Sequence, residues 1–134
     1  MKHGLGNKGK GFTMIELMIT LIVVAILVAL AYPSYIDYVR KSKRGEAQQL
    51  LMNWSINQEI WRSNNSQYAT TGQLAVPTNE NYTFDFAVDP TATVYTRRAT
   101  GGGDHVNYEA RDGTDCRILT LSHQGVKNPP VCWD

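Results

Sequence analysis

A single carboxylate, that of Glu16, lies within an otherwise apolar run from Phe12 to Tyr32. A charge at the centre of a membrane helix costs roughly 2.5 to 3.5 kcal/mol, so a carboxylate kept in such a run needs a partner. If the chain is cleaved between Gly11 and Phe12, the new α-ammonium of Phe12 lies one helical turn from Glu16 of the same or a neighbouring chain. The spacing therefore predicts a charge pair that acts in assembly.

The histidines and the serine beside one of them do not form a catalytic pattern. His105 and His123 have no cysteine, serine or second histidine at a recognisable spacing. Ser122 is adjacent to His123 in sequence, which does not place its hydroxyl within reach of the imidazole. We therefore expect no enzyme activity and no cofactor.

Four acidic residues in a glycine-bearing stretch could supply oxygen ligands to calcium. They are Asp104, Glu109, Asp112 and Asp115. Neither their spacing nor the turn follows a helix-loop-helix calcium site. We therefore favour a solvated turn and predict no metal.

Basic and aromatic residues in the same region could form a strip that binds nucleic acid through phosphate contacts and stacking. They are Arg97, Arg98, Arg111, Arg117 and Lys127, with Tyr95 and Tyr108. The acidic residues of the same stretch are interleaved with them, which favours a solvated surface over a nucleic-acid site.

The apolar run is long enough to span a membrane. At 1.5 Å per helical residue, Phe12 to Tyr32 covers about 31 Å, close to the thickness of a hydrocarbon core. Residues 1–11 are short, basic and glycine-rich, as a leader would be, and Ala29-Leu30-Ala31 offers a signal-peptidase site as the alternative. The run is longer than an ordinary signal core, and it carries Glu16, which a removed signal does not need.

The sequence around Gly11 resembles the class III signal of type IV pilins and pseudopilins. A basic leader ends in Gly11 and is followed by Phe12-Thr13-Met14-Ile15-Glu16-Leu17 and an unbroken apolar run to Pro33. The resemblance implies that a prepilin peptidase cuts after Gly11 and that the Phe12 amine is methylated. It also implies that Glu16 guides docking between subunits, with the leader in the cytoplasm and the rest of the chain outside.

Beyond Tyr32 the pattern remains helical, with a kink predicted at Pro33. One helix from Phe12 to Ser63 would be about 78 Å long. Its upper part carries an amphipathic stripe for packing on a sheet: Ala47, Leu50, Leu51, Trp54, Gln58 and Trp61. The opposite, solvated face is predicted to hold Arg40, Lys41, Lys43, Arg44, Glu46 and Arg62. Gly45 is a weak helical residue at which the helix could bend.

After a loop of about 17 residues, alternating patterns predict strands at 82–88, 93–99 and 116–121, with a short one at 106–110. The order of elements predicts an α+β head in which the upper helix packs on an antiparallel sheet. Outside the cytoplasm, the two cysteines, Cys116 and Cys132, are expected to form a disulfide. In pilins, a C-terminal disulfide loop of this kind forms an exposed region that takes part in contacts.

The expected organisation is a cleaved leader (1–11), a transmembrane and assembly helix (12–35) and a periplasmic or extracellular head (36–134). The resemblance implies a structural subunit, most like PilE-type minor pilins of type IVa pili, that supports pilus biogenesis, twitching motility and adhesion. Its expected partners are other pilin subunits, prepilin peptidase, inner-membrane pilus assembly machinery and, before assembly, membrane lipid. A type II secretion pseudopilin and a DNA-binding uptake pilin are the alternatives.

Overall fold

The computed structural model of the chain describes residues 11–103, 109–110 and 112–133. One long helix, α1 (Met14–Asn64), is followed by four strands: β1 (Tyr82–Val88), β2 (Thr96–Gly101), β3 (Ile118–Ser122) and β4 (Lys127–Asn128). The strands form one antiparallel sheet in the order β1-β2-β3-β4, and a 3₁₀ helix at Pro130–Cys132 follows. The predicted α+β fold, with a long N-terminal helix and an antiparallel sheet, is confirmed.

The strand boundaries differ from the predicted ones because two side chains make local turns. The Thr91 hydroxyl accepts hydrogen bonds from the backbone N–H groups of Thr93 and Val94, so β2 begins at Thr96. The Asp115 carboxylate accepts the backbone N–H of Arg117 at 2.9 Å, which delays the start of β3 to Ile118. Both predicted strands therefore began too early.

Two further strands had a different outcome. The strand predicted at 106–110 lies mostly outside the described residues, and Ala110 is not part of a strand. Strand β4 was not predicted: it has two residues, it pairs with β3, and it ends directly before Pro129. A proline lacks the N–H that a longer ladder would need there.

In the second of the chain's two units, which begins at Ile36, one face of α1 packs on the sheet. Ala47, Leu51 and Trp54 of the helix are buried. The sheet and its flanks contribute buried Tyr82, Phe84, Ala99, Leu119 and Leu121. The Trp54 and Phe86 rings lie 4.7 Å apart between centroids. The predicted packing of this stripe on the sheet is confirmed.

Gln58, the polar residue of that stripe, is fully buried and ties the loop after the helix to α1. Its Nε2 donates to the Ala69 carbonyl, and its Oε1 accepts the Ala69 N–H, each at 2.8 Å. Both polar ends of the amide are therefore satisfied inside the protein, which is the condition for burying such a group.

Arg44 is a correction to the prediction of a solvated basic face. Only 2% of its surface is exposed, because it lies on the sheet side of α1 next to the buried Ala47. Its charge also acts on Tyr82. Burial raises the Tyr82 pKa above its ordinary value, and the positive charge of Arg44 partly opposes that rise. The stripe was predicted to begin at Ala47, one turn too late.

The first unit ends at Tyr35 and holds the apolar run of α1. Its described side chains are all exposed, including Ile22 and Leu30. By length and composition, α1 is the helix in the described part of the chain that could cross a membrane. Pro33 lies inside it, and the kink predicted there stays a prediction.

Candidate functional site

The start of α1 places the residues of the predicted assembly site within one turn. Gly11, Phe12 and Thr13 precede the helix, which begins at Met14, and three-quarters of the Phe12 surface is exposed. Glu16 lies in the first turn, where a carboxylate is favoured by the positive end of the helix dipole. Cleavage after Gly11, methylation of Phe12 and the pairing of Glu16 with an amine stay predictions.

Thr13 has a role that the sequence analysis missed. Its hydroxyl oxygen accepts the backbone N–H of Glu16 at 3.3 Å and so caps the helix. A threonine followed three residues later by a glutamate is the signature of a capping box, and that signal was present in the sequence. The cap makes α1 begin at Met14 instead of Phe12.

The C-terminal residues form a second candidate site around the disulfide. Cys116 and Cys132 are bonded, with their Cα atoms 5.5 Å apart, and both are fully buried. The Gln48 side chain of α1 donates to the Cys132 carbonyl at 2.6 Å. The predicted disulfide is present, and the tail is attached both to the segment that precedes β3 and to the helix.

The surface of this tail carries an exposed cation beside an aromatic ring. The Lys127 Nζ lies 5.3 Å from the centre of the Trp133 ring, within the range of a cation–π contact. The indole N–H of Trp133 donates to the Asn128 carbonyl at 3.4 Å. Lys127 is exposed, so its ammonium group is available to an anionic ligand.

The proposed basic and aromatic strip is divided by the fold. Arg98 and Arg117 are partly exposed, but Arg98 is paired with Asp85, and Arg117 is paired with Asp115 at 2.7 Å. Arg97 and Tyr95 are fully buried. They therefore lie neither in a nucleic-acid-binding strip nor on a solvated surface, and both predictions are wrong for these two residues. Arg111 and Tyr108 lie outside the described residues.

Alternation along β2 explains why neighbouring arginines differ. Arg98 shares the outer face of the sheet with Asp85 and Thr120, its partners in the register. Arg97 points to the inner face, in register with Phe86 and Leu121. Successive residues of a strand face opposite sides, so one arginine meets solvent and the other meets the core.

Arg97 is held in the core mainly by aromatic rings. Its guanidinium carbon lies 4.5 Å from the Tyr95 ring centre and 5.8 Å from that of Trp54. Its side-chain nitrogens make no hydrogen bond within the described part of the chain. Burial lowers the Arg97 pKa, whereas the Tyr95 and Glu59 side chains raise it.

Tyr95 connects this cation to α1. Its hydroxyl donates to the Glu59 carboxylate at 3.2 Å and lies 3.4 Å from the Ser55 hydroxyl. Burial is the main reason that the Tyr95 pKa is raised, because the phenolate would lose its water. The cluster is thus a structural contact between helix and sheet.

The acidic stretch is occupied by local contacts. Asp112 accepts the Thr114 backbone N–H at 3.0 Å, which lowers the Asp112 pKa. Hydrogen bonds from the Arg117 side chain and backbone lower the Asp115 pKa. Asp104 lies outside the described residues, and within those described no group of three or more acidic, histidine or cysteine side chains is arranged to hold a metal ion.

Two family models match consecutive parts of the chain. Residues 6–32 match the prokaryotic N-terminal methylation motif. Residues 33–120 match the family described as "Type IV minor pilin ComP, DNA uptake sequence receptor". Since the second match covers more than half of the 134 residues, the chain belongs to this family of type IV pilins.

Curated relatives match over shorter segments. The chain is 55% identical over 38 residues to fimbrial protein EcpC of Eikenella corrodens, a match that covers 28% of this chain and 25% of the relative. It is 38% identical over 74 residues to the type IV major pilin protein PilE of Neisseria gonorrhoeae, covering 50% of this chain and 44% of the relative. The chain thus spans less than half the length of these relatives.

A solved structure supports the fold. A type IV pilin from Shewanella oneidensis superimposes with a TM-score of 0.54 at 23% identity, covering 71% of this chain and 98% of the pilin. The family match and the fold together define the chain as a type IV pilin. The long apolar helix and the family indicate membrane anchoring and a surface pilus.

Proposed function

We propose that the chain is a minor pilin of a type IV pilus. It is inserted in the inner membrane with its leader in the cytoplasm, cut between Gly11 and Phe12, methylated on Phe12 and then built into the fibre through α1. The observation that carries the proposal is that the methylation motif and a minor-pilin family model together match residues 6 to 120 without a gap. As part of the fibre, it supports pilus biogenesis and hence twitching motility and adhesion.

The exposure of the apolar run supports this mechanism. Side chains such as Ile15, Leu21 and Leu30 are mostly exposed in the described part of the chain, with between 66% and 75% of each surface accessible. Such a surface is stable in lipid or against other apolar helices, and not in water. Transfer from membrane to fibre exchanges one apolar environment for another, and a Glu16–ammonium pair offsets the cost of the carboxylate.

Substituting Glu16 tests the assembly role. We expect Glu16→Ala to leave cleavage after Gly11 largely intact and to lower the amount of this chain in sheared fibres at least tenfold. Glu46→Ala is the matched control, because Glu46 is an exposed glutamate of the same helix. Immunoblots of cells and fibres give both values, and normal incorporation of the Glu16 variant would contradict the charge-pair mechanism.

A second candidate function is DNA binding during uptake, which the description of the matched family favours. Among the described residues of the predicted basic strip, the exposed Lys127 and the partly exposed Arg98 and Arg117 are available to phosphates. Two of the three are paired with aspartates, so DNA must compete with those carboxylates for them. We therefore expect binding that weakens steeply with salt.

Titration of the full chain in detergent with labelled duplex DNA tests this candidate. Lys127→Gln should weaken binding several-fold and reduce the salt slope by about one. Lys41→Gln is the control, since Lys41 is an exposed lysine on α1. Binding no tighter than that of an acidic control protein would remove the DNA candidate and leave the pilin proposal intact.

A further inference from the structure

The backbone around the proposed cleavage position lies outside α1. Gly11, Phe12 and Thr13 are exposed and not helical, and the helix begins at Met14. In the described part of the chain, a Cβ atom built on Gly11 would meet no atom within 4 Å beyond its neighbours in sequence. The Gly11–Phe12 peptide bond is therefore open on this side, although a long apolar helix starts only two residues later.

Thr13 decides where the helix begins through two hydrogen bonds. Its carbonyl accepts the backbone N–H of Leu17 at 3.2 Å, as the first bond of the helix. Its hydroxyl accepts the backbone N–H of Glu16 at 3.3 Å. In a helix that began earlier, the Glu16 N–H would be donated to the Phe12 carbonyl, four residues back. The Thr13 hydroxyl therefore replaces the Phe12 carbonyl as the acceptor.

One further step toward the N-terminus reaches the bond that is to be cut. In a longer helix, the Gly11 carbonyl would accept the Ile15 N–H. Hydrolysis attacks the carbon of this same carbonyl: the oxygen of water bonds to it, the bond to the Phe12 nitrogen breaks, and Phe12 leaves as an amine that takes a proton from the water. A peptidase needs this backbone open and correctly oriented, as it is when residues 11–13 stay outside the helix.

The membrane acts in the opposite direction. Backbone N–H groups without partners are costly in lipid, which favours winding of the residues that precede an apolar helix. A threonine at the N-cap opposes such winding, because it gives a partner to an N–H of the first turn while its own backbone stays non-helical. The Thr13 cap thus stabilises the start at Met14 against a start nearer the cleavage position.

We propose that Thr13 is a positioning residue for cleavage: its hydroxyl ends the helix at Met14 and keeps the Gly11–Phe12 bond in an open backbone that the peptidase can bind. This inference rests on the proposed function, since it assumes cleavage at that bond. Thr13 acts through the backbone conformation, and its side chain is not itself read by the enzyme.

Thr20 offers a matched control in the same apolar run. Its hydroxyl donates to the carbonyls of Glu16 and Leu17, at 3.0 and 2.8 Å. Both bonds lie within the helix and leave its start unchanged. Thr20→Val therefore removes a hydroxyl in the way that Thr13→Val does, but without removing a cap.

Cleavage of the full chain by prepilin peptidase in detergent tests the positioning role. Thr13→Val should raise KM about two- to fivefold at unchanged kcat, because loss of a cap shifts the equilibrium between helix starts and the competent fraction sets the apparent affinity. Thr20→Val should leave both constants unchanged. A Thr13→Val chain with an unaltered KM, or one that loses kcat instead, overturns the proposal.

Two rescue variants separate capping from recognition of the side chain. Serine and asparagine are both good N-cap residues, but asparagine caps through an amide oxygen and has no hydroxyl. Thr13→Ser and Thr13→Asn should therefore both keep the KM of the unaltered chain. Normal cleavage of Thr13→Ser together with a raised KM for Thr13→Asn would mean that the peptidase reads the hydroxyl itself, and would overturn the proposal.

Nuclear magnetic resonance of the full chain in detergent, labelled with ¹³C at Phe12, measures the backbone without the enzyme. The Phe12 Cα shift should move toward the helical value in Thr13→Val and stay in place in Thr20→Val and Thr13→Asn. An unchanged shift in Thr13→Val overturns the positioning role alone. If the unaltered chain is not cut after Gly11, the proposed function fails, and the role of Thr13 fails with it.

Discussion

The two units of the chain use apolar residues in opposite ways. Leu51 in the head is fully buried between α1 and the sheet, whereas 60% of the Ile22 surface in the first unit is exposed. Both are aliphatic residues of the same helix. They differ in exposure because Leu51 packs against residues of the sheet, whereas Ile22 remains exposed in the described part of the chain.

This contrast locates where each unit obtains its stability. Burial of apolar side chains stabilises the head by about 25 cal/mol for each Å² removed from water, and that contribution is made when the chain folds. The first unit makes no comparable contribution in isolation. An apolar surface of this kind is stable in lipid or against other apolar surfaces, as the proposed assembly mechanism requires.

The largest expected effect compares a substitution to alanine in each unit. Trp54→Ala removes a buried ring that contacts Phe86 and Arg97, so the free energy of unfolding of the head should fall by about 3 to 5 kcal/mol. Ile22→Ala should change it by less than about 0.5 kcal/mol, because that side chain is exposed. Denaturant titration of the full chain in detergent, followed by tryptophan fluorescence and circular dichroism, measures both.

Equal losses of unfolding free energy in Trp54→Ala and Ile22→Ala would contradict the difference between the two units. They would mean that the apolar run takes part in the folded core of the head. The Ile22 variant is also expected to weaken retention of the chain in membranes, which fractionation would measure independently.

Removing the disulfide should have the next largest effect. Replacing both Cys116 and Cys132 by serine opens a loop that spans 16 residues in sequence, and the expected loss is about 3 kcal/mol in the chain-entropy model. The same loss should follow reduction of the unaltered chain. A reduced chain as stable as the oxidised one would show that Gln48 and the surrounding packing hold the tail without the bond.

Gln58→Leu should destabilise the head by about 2 kcal/mol. The substitution leaves the N–H and the carbonyl of Ala69 without their partners in a buried place. Gln49→Leu is the matched control, because Gln49 is exposed on the same helix and should change stability little. An effect of Gln58→Leu no larger than that of the control would assign the anchoring of the loop to other contacts, such as the Tyr68–Tyr95 ring pair.

The smallest expected effect concerns the exposed pair between Asp115 and Arg117. The Asp115 pKa is lowered in the folded chain, so its stabilising contribution is present above the ordinary aspartate value of about 3.9 and is lost as the pH falls through the folded value. Because both side chains are about half exposed, solvent screens the pair and its contribution should be smaller than that of Gln58. Unfolding of Asp115→Asn and of the unaltered chain at pH 7 and pH 3 measures it, and a difference that is larger at pH 3 would contradict this sign.

Local patterns predicted most elements of the fold. The long apolar run, the repeat through Leu51 and Trp54, and the alternation in β1 each depend on residues close in sequence. The boundaries of β2 and β3 were predicted less well, because hydrogen bonds accepted by the Thr91 and Asp115 side chains decide where each strand begins. Such bonds compete with regular structure and leave little trace in periodicity.

Of the candidate sites, the N-terminal one was predictable from sequence. Gly11, Phe12 and Glu16 lie within six residues, so the proposed cleavage and methylation were inferred from local order alone. The cap by Thr13 was also present in the sequence as a capping box. No distant contact is needed to bring these residues together.

The sequence by itself determined the class of the protein, its anchor helix and the α+β order of its head. Only the tertiary structure decided that Arg97 enters the core while Arg98 pairs with Asp85. It likewise decided that Arg44 is buried on the face of α1 that packs on the sheet. It also decided which face of α1 is buried. The physical reason is that a residue's type sets what its burial costs, whereas its burial depends on residues far away in the chain that only folding brings beside it.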